Sequence, residues 1–312
     1  MQCLELFAGA GGAALGIKSA GIQPAALVEI DPAACSTLRA AGHSPVIQAD
    51  VRNIKAISNV VGSAPVDVIW SSFPCQAWSL AGSGKGASDQ RNGWPWTLQN
   101  IDAFKPKWFL AENVKGLASH VKGCQRRDPA SCPGCYLDNV IMPALRRRFW
   151  ACGYWILDAA SYGVPQHRRR VIIWAGPSTL TAPKSTHGPG LLPYVSMGEA
   201  LGMSSVIGRR TLGIRSPQML SKPAPTVATT EVKGTRATQG SRWSMNGGPD
   251  RASDALWLAT GRRRLTVAEC AKLQGFPAGY RFVGTKEQQY RQIGNAVPPA
   301  MARAIALALP SA

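Results

Sequence analysis

The chain has 312 residues, 45% of them hydrophobic and 17% charged, an ordinary globular mixture that excludes a disordered chain. It holds no uncharged apolar run near the roughly 18 residues a membrane span needs, and Met1-Gln2-Cys3-Leu4-Glu5 lacks the basic lead of a secretory signal. Lys and Arg number 35 against 17 Asp and Glu, a net charge of +18 that points to a polyanionic partner.

Strands are predicted at 3–7, 24–30, 44–48, 66–71, 107–111, 154–160 and 170–174, with helices at 13–20, 32–41, 97–104 and 137–151. Strand and helix in alternation predict an α/β fold with a mostly parallel sheet covered on both faces. Ligands then bind at the carboxyl ends of the strands. Residues 177–260 are rich in Gly, Pro, Ser and Thr and predict a small loop-rich domain. Thr266-Val267-Ala268-Glu269 has the form of a capping box at a helix start, and a last helix is predicted at 300–309. The basic excess lies late. Residues 1–100 carry six basic and six acidic side chains, residues 101–176 twelve and five, residues 177–312 seventeen and six.

The first strand runs into a glycine-rich turn, Phe7-Ala8-Gly9-Ala10-Gly11-Gly12, where the backbone can approach a ligand closely. Glu29, ending the second strand, is placed for ribose hydroxyls, and Asp50, after the third, for an adenine amino group. The turn lacks the Gly-Lys-Ser/Thr ending of a triphosphate loop, and Ala14 stands where a dinucleotide fingerprint has its third glycine. The turns therefore predict an adenosine-containing cofactor without phosphate. Cys75 follows the fourth strand in Ser72-Phe73-Pro74-Cys75-Gln76. It has the position of a nucleophile, although position alone leaves a buried structural cysteine equally open.

The wider pattern resembles the DNA cytosine-5 methyltransferases of bacterial or phage type. The resemblance rests on Glu5-Leu6-Phe7-Ala8-Gly9-Ala10-Gly11-Gly12, Phe73-Pro74-Cys75-Gln76, Glu112-Asn113-Val114 and Gln166-His167-Arg168-Arg169-Arg170. It continues in the block from Arg264 to Pro277, with Leu273-Gln274-Gly275-Phe276-Pro277, and in Gly294-Asn295-Ala296-Val297-Pro298-Pro299. These six blocks stand in family order along nearly the whole chain. The resemblance implies a Rossmann-like S-adenosylmethionine-dependent methyltransferase sheet with a small loop-rich target recognition domain. Residues 1–176 plus 290–312 would form the catalytic domain and 177–289 the recognition domain and hinge.

The resemblance also implies roles. Cys75 is the thiolate that adds to C6 of a cytosine flipped out of the duplex. Glu112 is the acid at N3, and Arg168 and Arg170 hold the cytosine O2. Phe7, Ala8, Gly9, Gly11, Gly12, Glu29, Ile30, Asp50, Val51, Pro74, Trp94, Asn295 and Val297 would form the S-adenosylmethionine site. Ile30 departs from the aromatic residue often found there, and Ser72 from the usual Gly or Pro. Residues 80–91 look like the family's mobile catalytic loop, with Gln76, Ser79, Gly82, Lys85 and Arg91 on DNA. Double-stranded DNA is the expected partner, with a cognate restriction enzyme beside it, and the expected setting is a monomer in the bacterial cytoplasm near the nucleoid. The alternatives are a tRNA-methylating relative and a catalytically inactive DNA-binding one. The Cys-Phe-Thr triplet of the tRNA branch is missing between Val114 and Gln166.

One pattern lies outside the family blocks. His120, Cys124, Cys132 and Cys135, the last two in a Cys-Pro-Gly-Cys turn, form an insertion at 120–135 with the ligand types of a structural zinc site. Cys152 is a substitute fourth ligand. The other reading is a set of free thiols, or a disulfide if the protein meets oxidant.

Overall fold

The computed structural model describes residues 1–74, 92–121, 124, 132–202, 221–227 and 265–310. Cys75, Gln76, Ser79, Gly82, Lys85 and Arg91, and with them the expected catalytic loop, lie outside the described residues, as do 203–220 and 228–264.

All seven predicted strands are present, as β1 (Gln2–Leu6), β2 (Gln23–Glu29), β3 (Val46–Gln48), β4 (Val68–Ser71), β5 (Trp108–Val114), β6 (Ala151–Asp158) and β7 (Arg169–Gly176). They form one sheet in the order β3-β2-β1-β4-β5-β7-β6. The first five run parallel, and β7 enters antiparallel between β5 and β6. The reversal of strand order at β1 and β4 opens a crevice at their carboxyl ends, where ligands collect in such sheets. The central strands are buried on both faces, in keeping with their Val, Ile, Leu and Trp content.

The helices covering the sheet are α1 (Gly12–Ser19), α2 (Pro32–Ala40), α3 (Ile54–Val61) and α4 (Trp94–Phe104). Asp31 caps α2 by accepting from Ala33 and Ala34 amides, and Pro32 sits at the first position, where its missing donor costs nothing. The predicted helix at 137–151 is instead a broken stretch: α5 (Pro133–Tyr136), a π turn (Leu137–Ile141) and α6 (Met142–Arg146). Pro143 cannot donate to a carbonyl one turn back, and Ala151 already belongs to β6.

Beyond β7 come α7 (Met197–Leu201), α8 (Val267–Gln274), α9 (Lys286–Asn295) and α10 (Pro299–Ala306). The expected capping box is formed: Thr266 and Glu269 each accept from the other's backbone amide. The last helix returns to the start of the chain. A methyl group added at Gly16 of α1 would lie 2.3 Å from the Pro299 carbonyl oxygen, so glycine is what lets α1 and α10 touch. Met301, Ala302 and Ile305 share a buried cluster with Ala13 and Ile17. Among the described residues no helix is long and apolar enough to cross a membrane.

Candidate active site

The crevice begins with the turn after β1. Phe7 (φ 57°), Gly9 (φ 55°) and Gly11 (φ 83°) all adopt left-handed backbone, which strains a phenylalanine and marks a site. The turn is pinned by Glu29 at the end of β2. Its carboxylate accepts from the Gly9 amide at 2.7 Å and from the Ile30 and Asp31 amides at 2.8 Å each. The first two strand ends are thus joined through one carboxylate. Beside them Ile30 is 61% exposed. Asp50 accepts from the Arg52 guanidinium at 2.6 Å, which holds its carboxyl below the ordinary value. Val51 is buried, and its carbonyl accepts from Asn100.

The glycines divide into two kinds. A methyl group at Gly9 would meet nothing within 4 Å, so the space beside Gly9 is open to a ligand. At Gly12 it would lie 2.2 Å from the Val297 carbonyl oxygen, and at Gly11 within 3 Å of Leu38, His43 and Tyr280. At Gly11 and Gly12 protein neighbours already require the absence of a side chain, whatever their backbone meets. The contact also brings Val297 to the turn through its backbone, and Asn295 is exposed beside it. Trp94 needs a second correction. Its indole is 1% exposed and packs among Phe73 and Phe109, so it lies in the core rather than in a pocket wall.

Glu5 lies buried on β1. Burial, then repulsion from Glu29, pushes its carboxyl up to about 8. Between the ordinary value of 4.5 and about 8 the folded chain keeps a proton that the unfolded chain has released. Stability is therefore lost as pH rises through this window. Glu5→Gln removes that contribution, so urea unfolding at pH 5 and pH 8 is expected to show a smaller loss in the variant than in the wild type. An equal loss in both would contradict it.

The second half of the crevice is built around β4. Ser72 follows it, and its hydroxyl accepts from the Trp70 indole at 3.0 Å, a local use for the residue that departs from the family's Gly or Pro. The Phe73 carbonyl accepts from the Asn113 side chain at 3.0 Å, fixing the turn that ends at Pro74 and leads into Cys75. β5 runs to Val114, further than predicted, so Glu112 and Asn113 lie within the strand. Val114 pairs with Arg170 of β7, and Glu112 points to the same face two residues earlier. Arg170 Nε consequently lies 2.7 Å from Glu112 Oε1, with both side chains largely buried. The contact is an ion pair whose alignment falls short of a hydrogen bond.

Arg168 is placed differently. It is 2% exposed and donates to the Gly294 carbonyl at 2.8 Å and the Val227 carbonyl at 3.3 Å. Its guanidinium ties the arginine block to the Gly294-to-Pro299 block, and Arg170 alone of the two pairs with Glu112. Gln166, fully buried, does similar work. It donates to the Leu273 carbonyl and the Gln274 side chain and accepts from the Val227 amide. Gln274 donates onward to the Ala296 carbonyl. Asn113, Gln166 and Gln274 carried no assigned role from sequence. Their signal was present, since each is an amide side chain inside a family block.

The four expected metal ligands also converge, their ligand atoms all within 4.8 Å of one another. Burial tends to raise the Cys132 thiol, but donors from the Val121 and Cys135 backbone and neighbouring thiols outweigh it and bring the thiol down to about 6. Cys152 stands apart on β6, near the Met142 carbonyl, and is not the fourth ligand.

Comparison with known proteins follows the same outline. The family described as C-5 cytosine-specific DNA methylase matches residues 1–188 and 207–311. The Type II methyltransferase M.NgoMIV of Neisseria gonorrhoeae is 31% identical, across 97% of this chain and 95% of that protein. The Type II methyltransferase M.AplI of Arthrospira platensis is 30% identical, across 97% and 84%. Among solved structures, the S. pombe Dnmt2 methyltransferase superposes with a TM-score of 0.65 at 15% identity, covering 98% of this chain and 97% of that one. At that identity the likeness speaks for the fold alone.

Proposed function

The chain belongs to the C-5 cytosine-specific DNA methylases, and on that premise we propose how its residues carry the reaction. It is a DNA cytosine-5 methyltransferase: it transfers a methyl group from S-adenosylmethionine to C5 of cytosine in DNA. When bound, S-adenosylmethionine supplies an electrophilic methyl group. The open space at Gly9 and the carboxylate of Glu29 fit an adenosine held by backbone and ribose contacts. Phe7, Ala8, Ile30, Asp50, Val51 and Pro74 would complete the site, with Asn295 and Val297 reaching it from the late block.

Cytosine C5 is too weak a nucleophile to take a methyl group unaided. In this reading the Cys75 thiolate adds to C6, and Glu112, which takes up a proton from solvent as the base enters, delivers it to N3 as negative charge develops there. The ring becomes an enamine whose C5 accepts the methyl group. Water in the site then takes the C5 proton, the Cys75 sulfur leaves as the thiolate, and the N3 proton returns to the Glu112 carboxylate, which restores the aromatic ring. Arg170 holds the cytosine O2, and Arg168 acts as a positioning residue through Gly294. The observation that supports this most is the pairing of β5 with β7. It sets Glu112 against Arg170 while Asn113, the next residue, fixes the turn into Cys75.

The base must leave the stack before C6 is reachable. Gln76, Ser79, Gly82, Lys85 and Arg91 are the residues we assign to the flipped base and its phosphates. Residues 177–289 are assigned to target reading, and 1–176 with 290–312 to catalysis, although 290 falls inside α9. The basic excess after residue 100 suits a DNA duplex. We place the protein in the bacterial cytoplasm as a monomer, with a cognate restriction enzyme. The zinc expected at the Cys/His cluster takes no part in this chemistry.

Incubation with labelled S-adenosylmethionine and mixed-sequence duplex DNA is expected to yield 5-methylcytosine as the labelled base. Transfer to tRNA but not to DNA would overturn the substrate assignment.

A further inference from the structure

His120, Cys124, Cys132 and Cys135 come from two sides of one fold-back. β5 leaves the sheet through a 3-10 turn (Lys115–Ala118) and reaches His120, and the Cys-Pro-Gly-Cys sequence opens α5. The two sides are held together by the Gly134 amide, which donates to the Ser119 carbonyl at 3.0 Å. The absence of a side chain at Gly134 makes room for the His120 ring, since a methyl group there would lie 2.9 Å from it.

His120 Nδ1 lies 3.7 Å from Cys132 Sγ and 3.6 Å from Cys135 Sγ, and Cys124 Sγ lies 3.1 Å from Cys135 Sγ. A tetrahedral zinc ion with ordinary bond lengths sets nitrogen and sulfur about 3.5 Å apart and two sulfurs about 3.8 Å apart. The nitrogen-to-sulfur distances match that geometry. The sulfur pair, at 3.1 Å, would open by about 0.7 Å around the ion, and it is already far longer than a disulfide bond of about 2.05 Å. The other ring nitrogen, His120 Nε2, lies 3.3 Å from Asp138 Oδ2. A carboxylate there fixes the tautomer that turns an unprotonated Nδ1 toward the sulfurs, the usual outer partner of a metal-bound histidine.

We propose that His120 Nδ1 and the sulfurs of Cys124, Cys132 and Cys135 form a structural zinc site that ties the exit of β5 to the start of α5. Three thiols release their protons to the solvent as the ion binds, and four protein ligands leave no position for a reacting molecule. The site braces a residue beside the catalytic segment. Tyr136, next to Cys135, accepts from the Asn92 side chain at 2.8 Å, and Asn92 closes the 75–91 segment that carries Cys75. The zinc assignment stands whether or not the methyl-transfer reading does, because it is read from metal content.

The test uses the full chain purified without chelator. Elemental analysis is expected to give about one equivalent of zinc per chain. Exchange into cobalt(II) should produce a thiolate-to-cobalt absorption band with the d–d bands of a tetrahedral ion. Removal of the metal should lower Tm by at least about 5 °C. Cys132→Ser should cut bound zinc to a small fraction, Cys152→Ser should keep it, and His120→Cys should keep it through a fourth thiolate. Should Cys132→Ser fail to fold, the cobalt spectrum of the wild type still decides the matter. Less than a tenth of an equivalent of zinc with no cobalt–thiolate band would overturn the proposal. So would a chain two mass units light from a Cys124–Cys135 disulfide, or full zinc content in Cys132→Ser.

Discussion

Cys75→Ser is expected to lower methyl transfer to duplex DNA by more than about 1,000-fold, with cofactor binding nearly unchanged. A serine hydroxyl is a far weaker nucleophile than a thiolate, so C6 addition fails and C5 never gains enamine character. The cofactor contacts proposed at Gly9 and around Glu29 lie elsewhere, on a turn pinned by the Glu29 carboxylate and by backbone hydrogen bonds. Paired measurements of turnover and of cofactor affinity by calorimetry check both halves. Near wild-type turnover would remove Cys75 from the mechanism. Equal loss of turnover and of cofactor affinity would instead mark it as a structural residue.

Arg170→Ala is expected to act on stability and on turnover together. Its guanidinium is the charge beside Glu112, and both side chains are largely buried. Removing one partner of such a pair leaves an uncompensated buried charge, a loss of about 3 kcal/mol. Turnover should fall by at least about 100-fold, since the same guanidinium would neutralise charge on the cytosine ring. Glu112→Gln separates the two effects. It keeps the shape and leaves a neutral amide oxygen beside the Arg170 guanidinium, so stability should fall less while turnover still drops by at least about 100-fold. Urea unfolding and steady-state kinetics on the three proteins check this. Arg170→Ala with wild-type stability and turnover would contradict the role given to the pair.

The strands were legible because β1 to β5 are short runs of Val, Ile, Leu and Trp set off by polar turns, and burial on both faces rewards that composition. β5 outran its prediction because Glu112 and Asn113 look like loop residues in isolation. They remain in the strand because β7 pairs with them from a distant part of the chain, a partner that no local pattern reveals. α3 and α9 were missed for a different reason. α9 is largely polar and α3 spans only eight residues, yet each begins with a legible cap, Asn53 accepting from Ala56 and Thr285 with Gln288 in a capping box.

The site was legible as a set of residues but not as a set of contacts. Motif blocks located Glu112 and both arginines, yet only the register of β5 and β7 gives Arg170 to Glu112, and only the packing of the end of α9 gives Arg168 the Gly294 carbonyl. Gly11 and Gly12 read like Gly9 in sequence. What separates them is Leu38, His43 and Tyr280 beside Gly11 and the Val297 carbonyl beside Gly12. Trp94 was misplaced because an aromatic residue near a cofactor turn is as easily core as lining. Its neighbours Phe73 and Phe109 decide the matter.

The central claim is that Cys75 attacks a cytosine in DNA, and covalent capture tests it most directly. Duplex DNA in which some cytosines carry fluorine at C5 cannot lose a proton from that carbon after methyl transfer, so the sulfur cannot be expelled. Incubation with S-adenosylmethionine should therefore accumulate a denaturant-resistant protein–DNA complex, and mass spectrometry of its peptides should place the modified nucleotide on Cys75. Methylation of ordinary DNA without any such complex, or a nucleotide attached at another residue, would contradict the account.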